Sequence, residues 1–156
     1  MVWQLNDCWP VTSWSIVDYY LRKKPAFYTM KRALAPITIS VGREHHDWST
    51  THAHPPGRLG YEVWVSSNRT EAVEADVELR YISIETGYAS RTTAHITVAA
   101  NGTTEFFRER IDVEEEEPHV LAARLWVGSE LVSWDCDWPQ PLKYLDFSDR
   151  GVEVVV

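Results

Sequence analysis

Beyond residue 36 the chain alternates apolar and polar positions with a period of two; before it, one short stretch follows a helical period instead. The clearest alternation sets Val73, Ala75, Val77, Leu79 and Tyr81 against Glu74, Asp76, Glu78 and Arg80, which predicts a strand with one wet face. Residues 37–41 and the run around Tyr61, Val63 and Val65 read the same way, as does the run around Ile96 and Val98. Asn101-Gly102 has the residue types of a tight positive-φ hairpin leading into a strand over residues 104–113. Leu121, Ala123, Leu125 and Val127 then face inward, Gly128-Ser129 turns, and residues 130–134 return as a paired strand. About seven strands at this spacing, without a Cys…Trp…Cys signature, predict an immunoglobulin-like β-sandwich of the non-antibody kind.

The first 36 residues are organised differently. Residues 2–5 read as a short buried strand ended by Asn6-Asp7, and residues 13–20 as a turn or short helix. Arg22-Lys23-Lys24 reads as exposed. Pro25 suits the first turn of a helix, Phe27, Met30 and Leu34 recur at i, i+3 and i+7, and Pro36 ends the run. Lys31 and Arg32 complement the helix dipole near its C-terminal end. A lone βα unit cannot bury its own faces, so it reads as the end of something larger.

The candidate chemistry gathers where that first strand gives way to a loop. Trp3, Asn6, Asp7 and Trp9, with Gln4, place indoles, amides and a carboxylate within seven positions. An indole offers a flat apolar face to the C–H side of a pyranose, and amides or carboxylates hydrogen-bond its hydroxyls. The competing reading is a buried strand whose tryptophans only pack. His45, His46, His52 and His54 with Asp47 invite a metal reading, but their spacing matches no helix-borne His pair and no Cys joins them, so a solvated loop is preferred. Phe106-Phe107 and Trp126 hint at an aromatic platform. Adjacent strand residues point to opposite faces, so at most one Phe belongs to any patch, and core packing is preferred. The run at residues 114–117, four Glu before Pro118, reads as a solvated turn that blunts an edge.

Composition narrows the partners. At 156 residues with 44% hydrophobic content, the chain fits one ordinary domain, or one domain plus a fragment, and can bury a real core. Net charge is −8, but Asp7 and Asp18 stand against Arg22, Lys23, Lys24, Lys31 and Arg32 in residues 1–35, leaving −11 on the remainder. So acidic a body argues against nucleic acid or an anionic membrane as partner, and the sign change near Pro36 marks a boundary between two units. No apolar run is long enough to span a bilayer. Cys8 and Cys136 are too few for a disulfide framework and fit a cytoplasmic protein better than a secreted one. The sequons at Asn68 and Asn101 would matter only under the secreted alternative.

Three stretches carry a resemblance: residues 2–20 (VWQLNDCWPVTSWSIVDYY), then Lys24-Pro-Ala-Phe-Tyr with Lys31-Arg-Ala-Leu-Ala-Pro36, and the tail at residues 135–147 (DCDWPQPLKYLDF). Together they resemble the β-mannosidases of glycoside hydrolase family two, the fungal intracellular type above all, in order along essentially the whole chain. The resemblance implies that residues 1–36 are the last strand and helix of a catalytic (β/α)8 barrel. Residues 37–147 would be an immunoglobulin-like sandwich, and residues 148–156 the start of a further domain. It implies a retaining exo-hydrolase that removes terminal non-reducing β-D-mannose with two carboxylates roughly 5–5.5 Å apart. Both belong to barrel strands upstream of the last one, so no catalytic residue is assigned here, no metal or organic cofactor is expected, and the chain alone is expected to be inactive. The position of Trp3 would supply an aromatic wall of the mannose subsite, with Asn6, Asp7 and Trp9 at the C-terminal rim of the barrel. Expected partners are β-mannoside oligosaccharides and the upstream barrel domain.

Two other readings compete. A non-catalytic carbohydrate-binding sandwich would need an aromatic platform on one exposed face. An interaction module would use unpaired terminal strands, including residues 151–156.

Overall fold

A computed structural model describes residues 2–44, 58–112, 118–139, 142, 145–147, 149, 151 and 153. Two antiparallel sheets face each other. One has the order β1 (Ile37–Arg43), β2 (Arg58–Ser67), β5 (Gly102–Asp112). The other has the order β4 (Ala89–Val98), β3 (Val73–Ser83), β6 (His119–Val127), β7 (Glu130–Asp137). The period-two pattern is the cause: Leu59, Tyr61, Val63 and Val65 point inward from β2, and Ala75, Val77 and Leu79 from β3. Ile37, Ile39, Val98, Leu121, Ala123 and Leu125 complete the core. Burying a side chain as fully as Leu125 contributes about 1.5–3 kcal/mol.

Several details depart from simple alternation. Val63 pairs with Phe107 but Trp64 pairs with Glu105, so Phe106 is an extra residue in a bulge. The bulge turns both adjacent phenylalanines toward the core, which regular pleating forbids. Asn101 has the expected positive φ of 44°, but the connection is a crossing between sheets rather than a hairpin. β4 pairs with β3 and β5 with β2, and the Asn101 amide donates to Arg69 O at 2.9 Å. Gly128, at φ 60°, does make the tight β6–β7 hairpin. At Gly42 a Cβ would come within 2.8 Å of the Trp64 ring, so the ring's position requires glycine there.

The β1 side of the sandwich is closed by side chains. The amides of Ile39 and Val41, on the edge not paired with β2, donate to Ser133 Oγ and Asp135 Oδ2, each at 3.0 Å. Two alternate residues of β7 thus satisfy the outer edge of β1, and Arg43 Nε adds a side-chain ion pair to Asp137. Inside, His119 stacks on Tyr81 with ring centres 4.1 Å apart, and its Nε2 lies 2.9 Å from the Tyr61 hydroxyl. That polar knot within the core has no signature in the alternation.

Helix α1 spans Pro25–Ala33 with Pro25 in its first turn, as its sequence predicts. None of its residues is buried, and Leu34 just beyond it is 72% exposed. A three-residue connection leads into β1, where Pro36 O accepts from the Asn68 amide at 3.0 Å. The Arg32 guanidinium lies 4.7 Å over the Trp134 ring of β7. The strand expected over residues 2–5 has no ladder partner among the described residues. Only isolated bridges form there, Asn6 with Val17 and Val17 with Lys23. The His45–His54 cluster and the run of four Glu lie outside the described residues, as does most of the strand expected over residues 151–156.

Candidate functional site

The N-terminal segment presents its aromatic groups and hides its carboxylate. Trp3 is 65% and Trp9 69% exposed, and Trp14 is exposed beside them in sequence. Asn6 is exposed, its side-chain amide donating to the Asp7 carbonyl at 3.3 Å. Asp7 is only 4% exposed and points the other way.

What holds that carboxylate is a compact polar knot. Ser13 Oγ donates to Asp7 Oδ1, and Lys24 Nζ donates to Asp7 Oδ2 at 2.9 Å. The same ammonium donates to Ser15 Oγ at 2.7 Å and to Ser13 O at 3.2 Å, so all three of its protons have acceptors. The Ser15 hydroxyl in turn donates to Val17 O at 2.8 Å. Backbone bonds tie the same region, from Ile16 N to Gln4 O at 3.1 Å and from Val17 N to Leu5 O at 2.9 Å. The Ser13 hydroxyl first, and Lys24 next, hold the Asp7 carboxyl below the usual carboxylate range despite its burial.

Lys24 is therefore not part of an exposed basic run. It is half-buried at the start of α1 and fastens the helix to the aromatic loop. Sequence reasoning missed Lys24, Ser13 and Ser15, since partners 17 and 6 residues from Asp7 leave no local pattern. A second pair is more exposed: Arg22 Nε donates to Asp18 Oδ2 at 2.6 Å, and the Arg22 amide to Asp18 Oδ1 at 2.8 Å.

Chemically, the segment displays separate indole faces and an amide to solvent on a loop whose shape is set from below. Trp3, Trp9 and Trp14 together put a large aromatic area on a water-facing loop. The only other acid between residues 2 and 36 is Asp18, which is engaged with Arg22, so the segment offers no pair of carboxylates for acid–base or nucleophilic chemistry.

Comparison with known proteins bears directly on this arrangement. Residues 60–144 match the family described as the mannosidase Ig/CBM-like domain. The chain is 57% identical over 99% of its length to beta-mannosidase B of Emericella nidulans, and 54% identical over the same share to that of Aspergillus clavatus. In both cases it spans only 19% of the relative's length. Among solved structures, a beta-D-mannosidase from Dictyoglomus thermophilum superposes with a TM-score of 0.63 at 24% identity, covering 87% of this chain and 15% of that one. At that identity the likeness speaks for the fold.

Proposed function

The chain belongs to the mannosidase Ig/CBM-like domain family, and from that premise we propose that it supplies the C-terminal portion of a β-mannosidase. The whole enzyme would be a retaining exo-glycosidase that releases terminal non-reducing β-D-mannose. In this reading Trp3 forms an aromatic wall of the mannose subsite, and Asn6 and Trp9 line its rim. Asp7 acts from beneath, holding the loop that carries them through Ser13 and Lys24. The two catalytic carboxylates come from barrel strands that precede this segment, so the chain binds and positions while the chemistry is done elsewhere. The observation that carries the reading is the collinear similarity to beta-mannosidase B at 57% identity across 99% of the chain, N-terminal loop included. The free thiols of Cys8 and Cys136 support a cytoplasmic setting for that enzyme.

Two experiments test it. The isolated chain is expected to give no hydrolysis of a chromogenic β-mannoside, and turnover above background would overturn the assignment of the chemistry. Grafted in place of the matching segment of the Emericella nidulans relative, it is expected to sustain β-mannoside hydrolysis. In that graft Trp3→Ala should lower kcat/KM about tenfold or more, since one stacked indole face is worth on the order of 1.4 kcal/mol or above. A graft that folds and stays inactive would sink the reading.

A further inference from the structure

The outer face of the four-stranded sheet carries a cluster of interlocked charges. Glu78 sits in the middle of this wet face yet is only 5% exposed. It accepts from Arg80 Nε at 2.7 Å and Arg91 Nε at 2.6 Å, and Arg124 approaches to 3.5 Å. One row over, Asp76 Oδ1 meets His95 Nδ1 at 2.8 Å, and Glu74 Oε2 meets His95 Nε2 at 3.0 Å. Exposed ion pairs contribute little to stability, and drawing a carboxylate out of water has a cost that an apolar residue would avoid. These bonds hold several donors and acceptors in place on an open face, where they can meet a ligand's own polar groups.

The groups surround a cleft of about 410 Å³ lined by Asp76, Glu78, Arg91, Thr93, His95 and Trp126. The strand register builds it. His95, Asp76 and Trp126 stand in one row across β4, β3 and β6, with Thr93, Glu78 and Arg124 in the next. Trp126 is half-buried, so its indole is held as a firm wall. Arg91 spends Nε on Glu78, which leaves its Nη groups for other acceptors. Trp134 lies one strand farther along the same face, but Arg32 covers its ring, so the aromatic surface of the cleft ends at Trp126.

We infer that this cleft is a second saccharide site, separate from the N-terminal loop, and that it takes a neutral oligosaccharide. Glu74, Asp76 and Glu78 stand against Arg80, Arg91 and Arg124, so neither a strongly anionic nor a cationic ligand finds a net attraction. Hydroxyl groups, which both donate and accept, match such a balanced lining, and a pyranose C–H face matches the indole. The choice of a β-mannosyl chain as ligand rests on the function proposed above; the site itself does not.

The test is titration of the isotope-labelled chain with β-1,4-mannohexaose, followed by amide and indole NMR shifts, with an oligogalacturonate as anionic control. Saturable shifts are expected at Asp76, Thr93, His95 and the Trp126 indole, with a Kd below about 1 mM. Trp126→Ala should weaken binding at least tenfold. Asp76→Asn and the cleft-filling Thr93→Trp, both at exposed positions, should do the same if the first variant does not fold. No saturation up to about 10 mM would overturn the inference. So would shifts confined to residues 3–9, preference for the anionic control, or undiminished binding by folded variants. Mannohexaose bound at this face in a chain whose graft hydrolyses no β-mannoside would leave the cleft standing and defeat the enzymatic reading.

Discussion

Residues 2–36 and the sandwich that follows them solve the same problem in opposite ways. The sandwich turns its apolar residues inward, so that Val63, Val65, Val98 and Leu125 are wholly removed from water. The N-terminal segment turns Trp3, Trp9, Trp14 and Leu34 outward and keeps its shape with a half-buried ion pair and a few hydroxyls. One region is held by area, the other by a knot. Hydrophobic area stabilises in proportion to what is buried, whereas a polar knot holds only while each partner is present and correctly charged. The first tolerates the loss of any one polar group, and the second does not.

The contrast breaks most sharply under truncation of a leucine. Leu125→Ala should cost about 2–5 kcal/mol in urea unfolding, because a cavity opens where the side chain was wholly buried. Leu34→Ala should change it by less than about 0.5 kcal/mol. Equal effects would mean that α1 shares the core. Next comes the stitched edge. Asp135→Ala strands the Val41 amide and should cost about 1–3 kcal/mol by the same measurement, with the loss traced to faster exchange along β1.

The knot gives a prediction of a different kind. Asp7 titrates below its ordinary 3.8, so its ion pair steadies the loop above that pH and the contribution is lost as pH falls through the lower folded value. Lys24→Met removes one cause of the lowering. The loss should then begin at higher pH, seen as faster exchange of the Asp7 and Val17 amides, while the sandwich melts unchanged. A parallel fall in sandwich stability would show the two regions to be coupled. The smallest effect is expected at His95, which Asp76 first and Glu74 after it hold above its ordinary 6.5. Its small contribution is present below that pH and fades as pH rises through the folded value. NMR titration should show a raised midpoint that Asp76→Asn brings down.

These differences also explain what could be read beforehand. The seven strands were legible because alternation is the direct imprint of a two-faced sheet, and α1 because Pro25 and the Phe27–Met30–Leu34 spacing are local signals. The Phe106 bulge was not, since one inserted residue reverses the facing of its neighbours without changing composition. Nor was the burial of Glu78, which depends on arginines from three strands, or the pairing of Lys24 with Asp7. Between an aromatic platform and core packing the sequence favours the core for Trp126, yet its register with Asp76 puts it on the outer face. In the candidate site, residue types were legible and orientation was not. Trp3, Asn6 and Trp9 face water, whereas Asp7 faces its own loop.

The short joint between α1 and β1 has a mechanical consequence. A single covalent link would let the helix swivel about the strand that follows it. Here the Pro36–Asn68 hydrogen bond grips one point and the Arg32–Trp134 contact grips another, on the opposite sheet. A bracket fixed at two points transmits torque. The orientation of the helix is therefore set at two points on the sandwich, and Lys24 ties the loop that displays Trp3 and Trp9 to the start of that helix.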